Sequence, residues 1–192
     1  LTHTLTHSLI THHSSRMVWQ YSSRVKLPRD QYSLQQFFDI WTNIPRMSEW
    51  DKDCLHARLH PSTPSLPHSH THSHTHNIHM GDILYITMHN NPDKENKCIV
   101  TKIIGPNDGN AVAFHFTYSV FFSEFSFQYE AKMLHETNEI LLTHSTVITG
   151  VVSGVLGYAV STMVKEGCDH MSVSVPALAR VMKDEHCVVN DK

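Results

Sequence analysis

The stretch Val112–Met133, VAFHFTYSVFFSEFSFQYEAKM, decides the fold. In its first half Val112, Phe114, Phe116 and Tyr118 alternate with Ala113, His115, Thr117 and Ser119. In its second half Phe125, Phe127, Tyr129, Ala131 and Met133 alternate with Glu124, Ser126, Gln128, Glu130 and Lys132. A period of two sends each set to one face of a strand. The stretch therefore predicts two successive strands that carry six aromatic rings on one surface, with polar side chains behind them.

Working outward, the same alternation recurs on both sides. Downstream, His135-Glu-Thr-Asn138 turns the chain, and a further strand puts Ile140, Leu142, His144, Thr146 and Ile148 on one face. Upstream, Gly105-Pro-Asn-Asp-Gly109 is a strong turn signal. Before it, Asp82–His89 and Lys97–Ile104 predict a hairpin around Asn90-Asn-Pro-Asp93. Leu55, Ala57 and Leu59 alternate with His56, Arg58 and His60, and Met17–Leu27 alternates as well, with Trp19, Tyr21, Val25 and Leu27 on one side. Between these two strands, Ser33-Leu-Gln-Gln36 has the form of a capping box. It opens an amphipathic helix through Leu34, Phe37, Phe38, Trp41 and Ile44, which Pro45 ends.

Beyond Gly150 the period becomes helical. Val152, Val155, Leu156, Ala159 and Met163 form one stripe, continued by Leu178 and Met182, and Pro176 is expected to kink or divide this helix. The order is strand, helix, about six strands, long helix. The expected class is α+β, a curved antiparallel sheet of about six to seven strands around a long C-terminal helix. Ile140–Val164 lacks charged residues, but its alternation and its glycines read as a strand running into a buried helix, not as a membrane span.

Two tracts stand outside this pattern. Residues 1–13 read LTHTLTHSLITHH and residues 68–76 read HSHTHSHTH. A tandem CTCA repeat, translated, gives Leu-Thr-His-Ser, so both resemble nucleotide repeats read as protein. Neither has an apolar face whose burial offsets ordering. Residues 1–15 are expected to form a disordered leader, residues 16–188 one domain, and residues 61–79 a His-rich disordered loop insertion within it. His68, His70, His72, His74 and His76 offer imidazoles to zinc, copper or nickel, but their spacing matches no structural zinc pattern. Adventitious metal binding is the expectation, with no built metal site and no cofactor.

Composition narrows the function. A 192-residue chain with 40% hydrophobic residues can bury one sizeable core, and a net charge of −3 without basic runs leaves no footprint for nucleic acid. Cys54, Cys98, Cys168 and Cys187 form no CxxC pair, which reads as free thiols in a reducing, cytoplasmic-type compartment. Cys168, Asp169 and His170 are adjacent on a helix and do not face one another, so they make no nucleophile–base pair.

At three places the chain resembles the SRPBCC superfamily, specifically its polyketide cyclase/dehydrase and START-related members. Phe37-Phe-Asp-Ile-Trp-Thr-Asn-Ile-Pro-Arg-Met-Ser-Glu-Trp-Asp51 resembles the family's helix and following turn, with Trp50 and Asp51 matching. Glu139–Gly150 resembles its last strand and the glycine that opens the final helix, and Val175-Pro-Ala-Leu-Ala179 a stretch inside that helix. The resemblance implies a helix-grip fold with a deep apolar cavity for lipids, quinones, sterols or polyketides. It implies no fixed catalytic set.

The expected ligand-binding set is Trp50, Phe114, Phe116, Tyr118, Phe125, Phe127, Tyr129 and His144, with Leu156, Ala159 and Met163 of the long helix opposite. His144 is either an acid/base or ligand hydrogen bond in the cavity, or a core histidine satisfied by a neighbour. Tyr118 and Tyr129 either aim phenols inward or pack as rings, and Trp50 either closes the mouth or fills the helix–strand corner. A carrier of an apolar small molecule is the expected function; a cyclase or dehydratase using His144 and the tyrosines is the alternative.

Overall fold

The computed structural model describes residues 3–6, 18–60, 78–120, 122–151 and 157–189, and the side chains of these except residues 3–6, 108, 157–161 and 183–189. Among the described residues, eight strands form one antiparallel sheet. They are β1 (His3–Thr6), β2 (Val18–Pro28), β3 (Cys54–His60), β4 (Ile83–Met88), β5 (Asn91–Ile104), β6 (Ala111–Val120), β7 (Ser123–Leu134) and β8 (Glu139–Gly150), in the spatial order β1-β2-β8-β7-β6-β5-β4-β3. Helix α1 (Leu34–Thr42), a 3₁₀ turn (Ile44–Glu49) and the long helix α2 (Gly157–Val189) complete the order expected from the sequence. Register shifts at Cys54/His56, Thr87/Met88 and Val100/Lys102 bend the β3–β6 side of a curved sheet.

Local chemistry explains the elements. Gln36 N–H donates to Ser33 Oγ at 3.3 Å and Ser33 N–H to Gln36 Oε1 at 2.8 Å, closing the capping box that starts α1. Leu34, Phe37, Ile40 and Trp41 then form its buried face. Asn138 and Gly109 take positive φ in the two expected turns. The β4–β5 turn is tighter than expected, since β5 begins at Asn91, and the register shift beside Met88 absorbs the extra residues. Pro176 lies within α2, which runs on past it to Val189.

Three findings differ from the sequence reading. First, residues 3–6 lie within the leader read as unstructured, yet they run as a strand beside Ser22–Val25. Backbone pairing of this kind needs no apolar pattern that could be read in the sequence. The rest of the leader, and residues 61–77 of the His-rich insertion with His68, His70, His72, His74 and His76, lie outside the described residues.

Second, the inward stripe of α2 is Cys168, Met171, Ser172, Val175 and Ala179, all buried, whereas Met163 is 54% exposed. The side chains of Leu156 and Ala159 are outside the described set. Hydropathy does not mark this face because the seam is partly polar. Tyr21 donates to Asp169 at 3.1 Å, Ser172 to Ser23 at 2.7 Å, and Thr146 lies 3.8 Å from the Cys168 sulfur.

Third, α2 makes its closest backbone approaches to β2, β8 and α1, while α1 lies across β6 and β7. The aromatic strands are thus covered by the short helix first. None of the described helices is long and apolar enough to cross a membrane.

Candidate ligand-binding site

The six rings do share one surface. Phe114 pairs with Tyr129, Phe116 with Phe127 and Tyr118 with Phe125 across the β6–β7 ladder, so all six side chains point to the concave side. The surface divides in two. Phe114, Phe116 and Tyr129 are 0–2% exposed, whereas Tyr118, Phe125 and Phe127, nearer the β6–β7 turn, are only partly buried. Ring contacts run unbroken between the halves, with Phe116 5.8 Å from Tyr129 and 5.1 Å from Phe127.

At the closed end, four side chains besides Phe116 gather on Tyr129. Trp50 meets its ring edge-on at 5.3 Å, His144 at 5.6 Å, Trp41 at 6.1 Å and Phe114 at 6.3 Å, while Trp41 and His144 are also 6.1 Å apart. α1 supplies Trp41, the end of the 3₁₀ turn Trp50, β7 Tyr129 and β8 His144. Trp50 is fully buried at the end of the 3₁₀ turn. The indole nitrogens of Trp41 and Trp50 and both ring nitrogens of His144 are buried without a hydrogen-bond partner among the described residues.

Burial dominates the electrostatics here. Desolvation pushes the His144 imidazole down to about 3, so the ring is neutral at ordinary pH. It lifts Tyr129 well above the usual phenol range, helped by Asp51 and the thiols of Cys168, Cys98 and Cys54. The Asp51 carboxyl is raised to about 6, because burial outweighs the Asp53 and Cys54 backbone N–H groups that favour its charge. Burial also lifts Cys54, Cys98 and Cys168 to about 12, so these free thiols are poor nucleophiles.

The open end has other furniture. An open cleft of about 560 Å³ wraps the β6–β7 tip and the end of β8, lined by Ser119, Val120, Phe122, Ser123, Glu124, Thr149 and Gly150. Its lining is largely hydroxyl and carboxylate, so it is not the aromatic cavity expected from the sequence. Phe122 is 94% exposed there with φ +58°. Trp41 is the participant that sequence reasoning missed as a site residue. It lies in the apolar stripe of α1, and only its indole N–H sets it apart.

No family model matches this sequence, and no curated protein matches it. Among solved structures, the chain is similar to a hypothetical protein from Helicobacter pylori, jhp0584, with a TM-score of 0.61 at 9% identity over 83% of this chain and 86% of that one. It is similar to a point mutant of Thalictrum flavum norcoclaurine synthase, in complex with a transition-state analogue, with a TM-score of 0.57 at 8% identity over 89% and 99% of the two chains. It also matches the di-domain ARO/CYC protein BexL of the BE-7585A biosynthetic pathway, with a TM-score of 0.52 at 7% identity over 85% of this chain and 49% of that one. At such identities the likeness is one of architecture, and it agrees with the sheet and the helix order: the chain has a helix-grip fold.

Proposed function

We propose that this protein binds an apolar small molecule of lipid, quinone, sterol or polyketide-like character on the concave face of the grip, as a carrier or binding protein. One observation carries the reading. Tyr118, Phe125 and Phe127 are only partly buried on an inward surface whose other half, Phe114, Phe116 and Tyr129, is fully buried. Aromatic area left on the inside of a curved sheet supports a guest, because covering it removes apolar surface from water at about 25 cal/mol per Å² before ordering costs. The buried free thiols of Cys54, Cys98 and Cys168 support a reducing compartment.

A cyclase or dehydratase is the second reading, favoured by the 5.6 Å contact between His144 and Tyr129 and by two structural neighbours, one a synthase and one an ARO/CYC protein. It ranks second because desolvation leaves His144 a weak base and Tyr129 a weak acid. The test is titration with a fluorescent apolar probe, beside mass spectrometry of what co-purifies. Saturable binding that Phe127→Asp abolishes supports the proposal. A protein that binds no apolar probe and purifies without one overturns it.

A further inference from the structure

The unpartnered nitrogens at the closed end have a chemistry of their own. Buried polar atoms are paired in the great majority of cases, yet four of them sit here on three side chains around one phenol ring. An indole nitrogen can only donate, and a neutral imidazole offers one donor and one acceptor. The set therefore presents three N–H donors and a single acceptor. Its complement is an oxygen with lone pairs to give.

Charge selects among such oxygens. The ionisable groups that bear on Tyr129 are Asp51 and three thiols, and none of them is a cation. His144 is neutral, so it adds no positive charge either. A carboxylate would enter a buried interior next to an acidic residue with no cation to offset it, which is strongly unfavourable. A neutral carbonyl accepts the same hydrogen bonds without that penalty.

We infer that Trp41, Trp50 and His144 form a head-group site at the deep end of the aromatic surface, which takes the oxygen of a neutral ketone or quinone carbonyl and rejects a carboxylate. The inference rests on the apolar-ligand reading above and deepens it. The ligand body would lie along Phe127, Phe125 and Tyr118. The head would reach His144, whose strand neighbour Thr146 stands opposite Phe127.

Three ligands with one body and different heads test this: 2-acetylnaphthalene, 2-naphthoate and 2-ethylnaphthalene. The ketone should bind at least tenfold more tightly than either of the others. Trp41→Phe and His144→Phe should each erase most of that advantage while leaving 2-ethylnaphthalene affinity within about twofold. Since core variants can fail to fold, the wild type supplies a second readout. The chain has three tryptophans, so its indole N–H groups give three NMR cross-peaks, and the ketone should move two of them downfield relative to 2-ethylnaphthalene. If the nitrogens only hold buried water, all three ligands bind alike and no indole peak separates ketone from hydrocarbon; that result overturns the head-group site and leaves the carrier reading intact. If none of the three binds, the carrier reading fails and takes the head-group site with it.

Discussion

Phe114, Phe116 and Tyr129 on one side, and Tyr118, Phe125 and Phe127 on the other, come from the same two strands, the same alternation and the same residue types. The first three are buried on the side that α1 crosses, and Tyr129 among them is in ring contact with Trp41, Trp50, Phe114 and Phe116. The second three are only partly buried. Alternation decides which face a side chain takes, but the element lying across that face decides how deeply it is buried. In this protein the two ends of one aromatic surface differ by the presence of a nine-residue helix over one of them.

The largest expected effect tests that division directly. Phe116 is 2% exposed, and losing such a ring alone is worth about 3–5 kcal/mol. A buried unpaired carboxylate adds to this, against a usual total stability of about 5–15 kcal/mol. Phe116→Asp should therefore lose its near-UV circular dichroism. Phe127→Asp, its cross-strand partner at the open end, should fold with a loss of only about 1–2 kcal/mol and fail to bind apolar probes. Equal damage from the two variants would show that the open end is packed core as well.

The next effect is a pH dependence confined to the closed end. His144 has a folded value near 3 against an ordinary 6.5. Below pH 6.5 the unfolded chain takes up a proton that the folded chain refuses, so this group's contribution to stability is lost as pH falls from 6.5 towards 3. Asp51 acts in the opposite sense. Its value is raised to about 6, so the folded state holds its proton more tightly and gains stability as pH falls from about 6 towards 4. The wild-type profile mixes both. The difference between wild type and His144→Phe isolates the histidine: the variant's advantage should grow by about 1.4 kcal/mol per pH unit through that window. Urea melts at pH 7, 6, 5 and 4 measure it, and a constant difference would mean that His144 is solvated.

Much of this architecture is legible in the residues, and the gaps have physical causes. The six-ring surface, the capping box at Ser33 and the left-handed turns at Asn138 and Gly109 follow from local periodicity and backbone sterics, so they appear in the sequence. The inward face of α2 does not, because hydroxyls and a thiol such as Ser172 and Cys168 fill its seam and hydropathy points elsewhere, to Met163. Trp41 reads as ordinary core, since nothing local reveals that its N–H finds no acceptor. Pairing across the fold decides such matters.

A smaller effect concerns the open end. Gly150 has φ +99°, and a Cβ there would run into the Phe122 carbonyl oxygen. Ser123 pairs with Gly150 where β7 meets β8, so the strain reaches the hairpin tip. Gly150→Ala should cost about 1–3 kcal/mol, seen as a lower thermal midpoint, and should weaken probe binding while the near-UV spectrum of the closed end is kept. Unchanged binding would uncouple the hairpin tip from the ligand surface.

The smallest effect is expected from the leader. β1 lies against Ser22–Val25, beside the row in which Ser23 opposes His144, so it flanks the closed end of the sheet. What the structure shows there is backbone pairing over four residues. Each such hydrogen bond is worth about 0.5–1.5 kcal/mol net, and fixing each residue's backbone costs about 1–2 kcal/mol, so the two nearly cancel. Removing residues 1–15 should therefore change stability by less than about 1 kcal/mol and leave probe affinity unaltered, as urea melts and titrations of the truncated and full chains would show. A fall of several kcal/mol would mean that the closed end extends into the leader, and that its boundary with solvent lies one strand further out than the burial of β2 suggests.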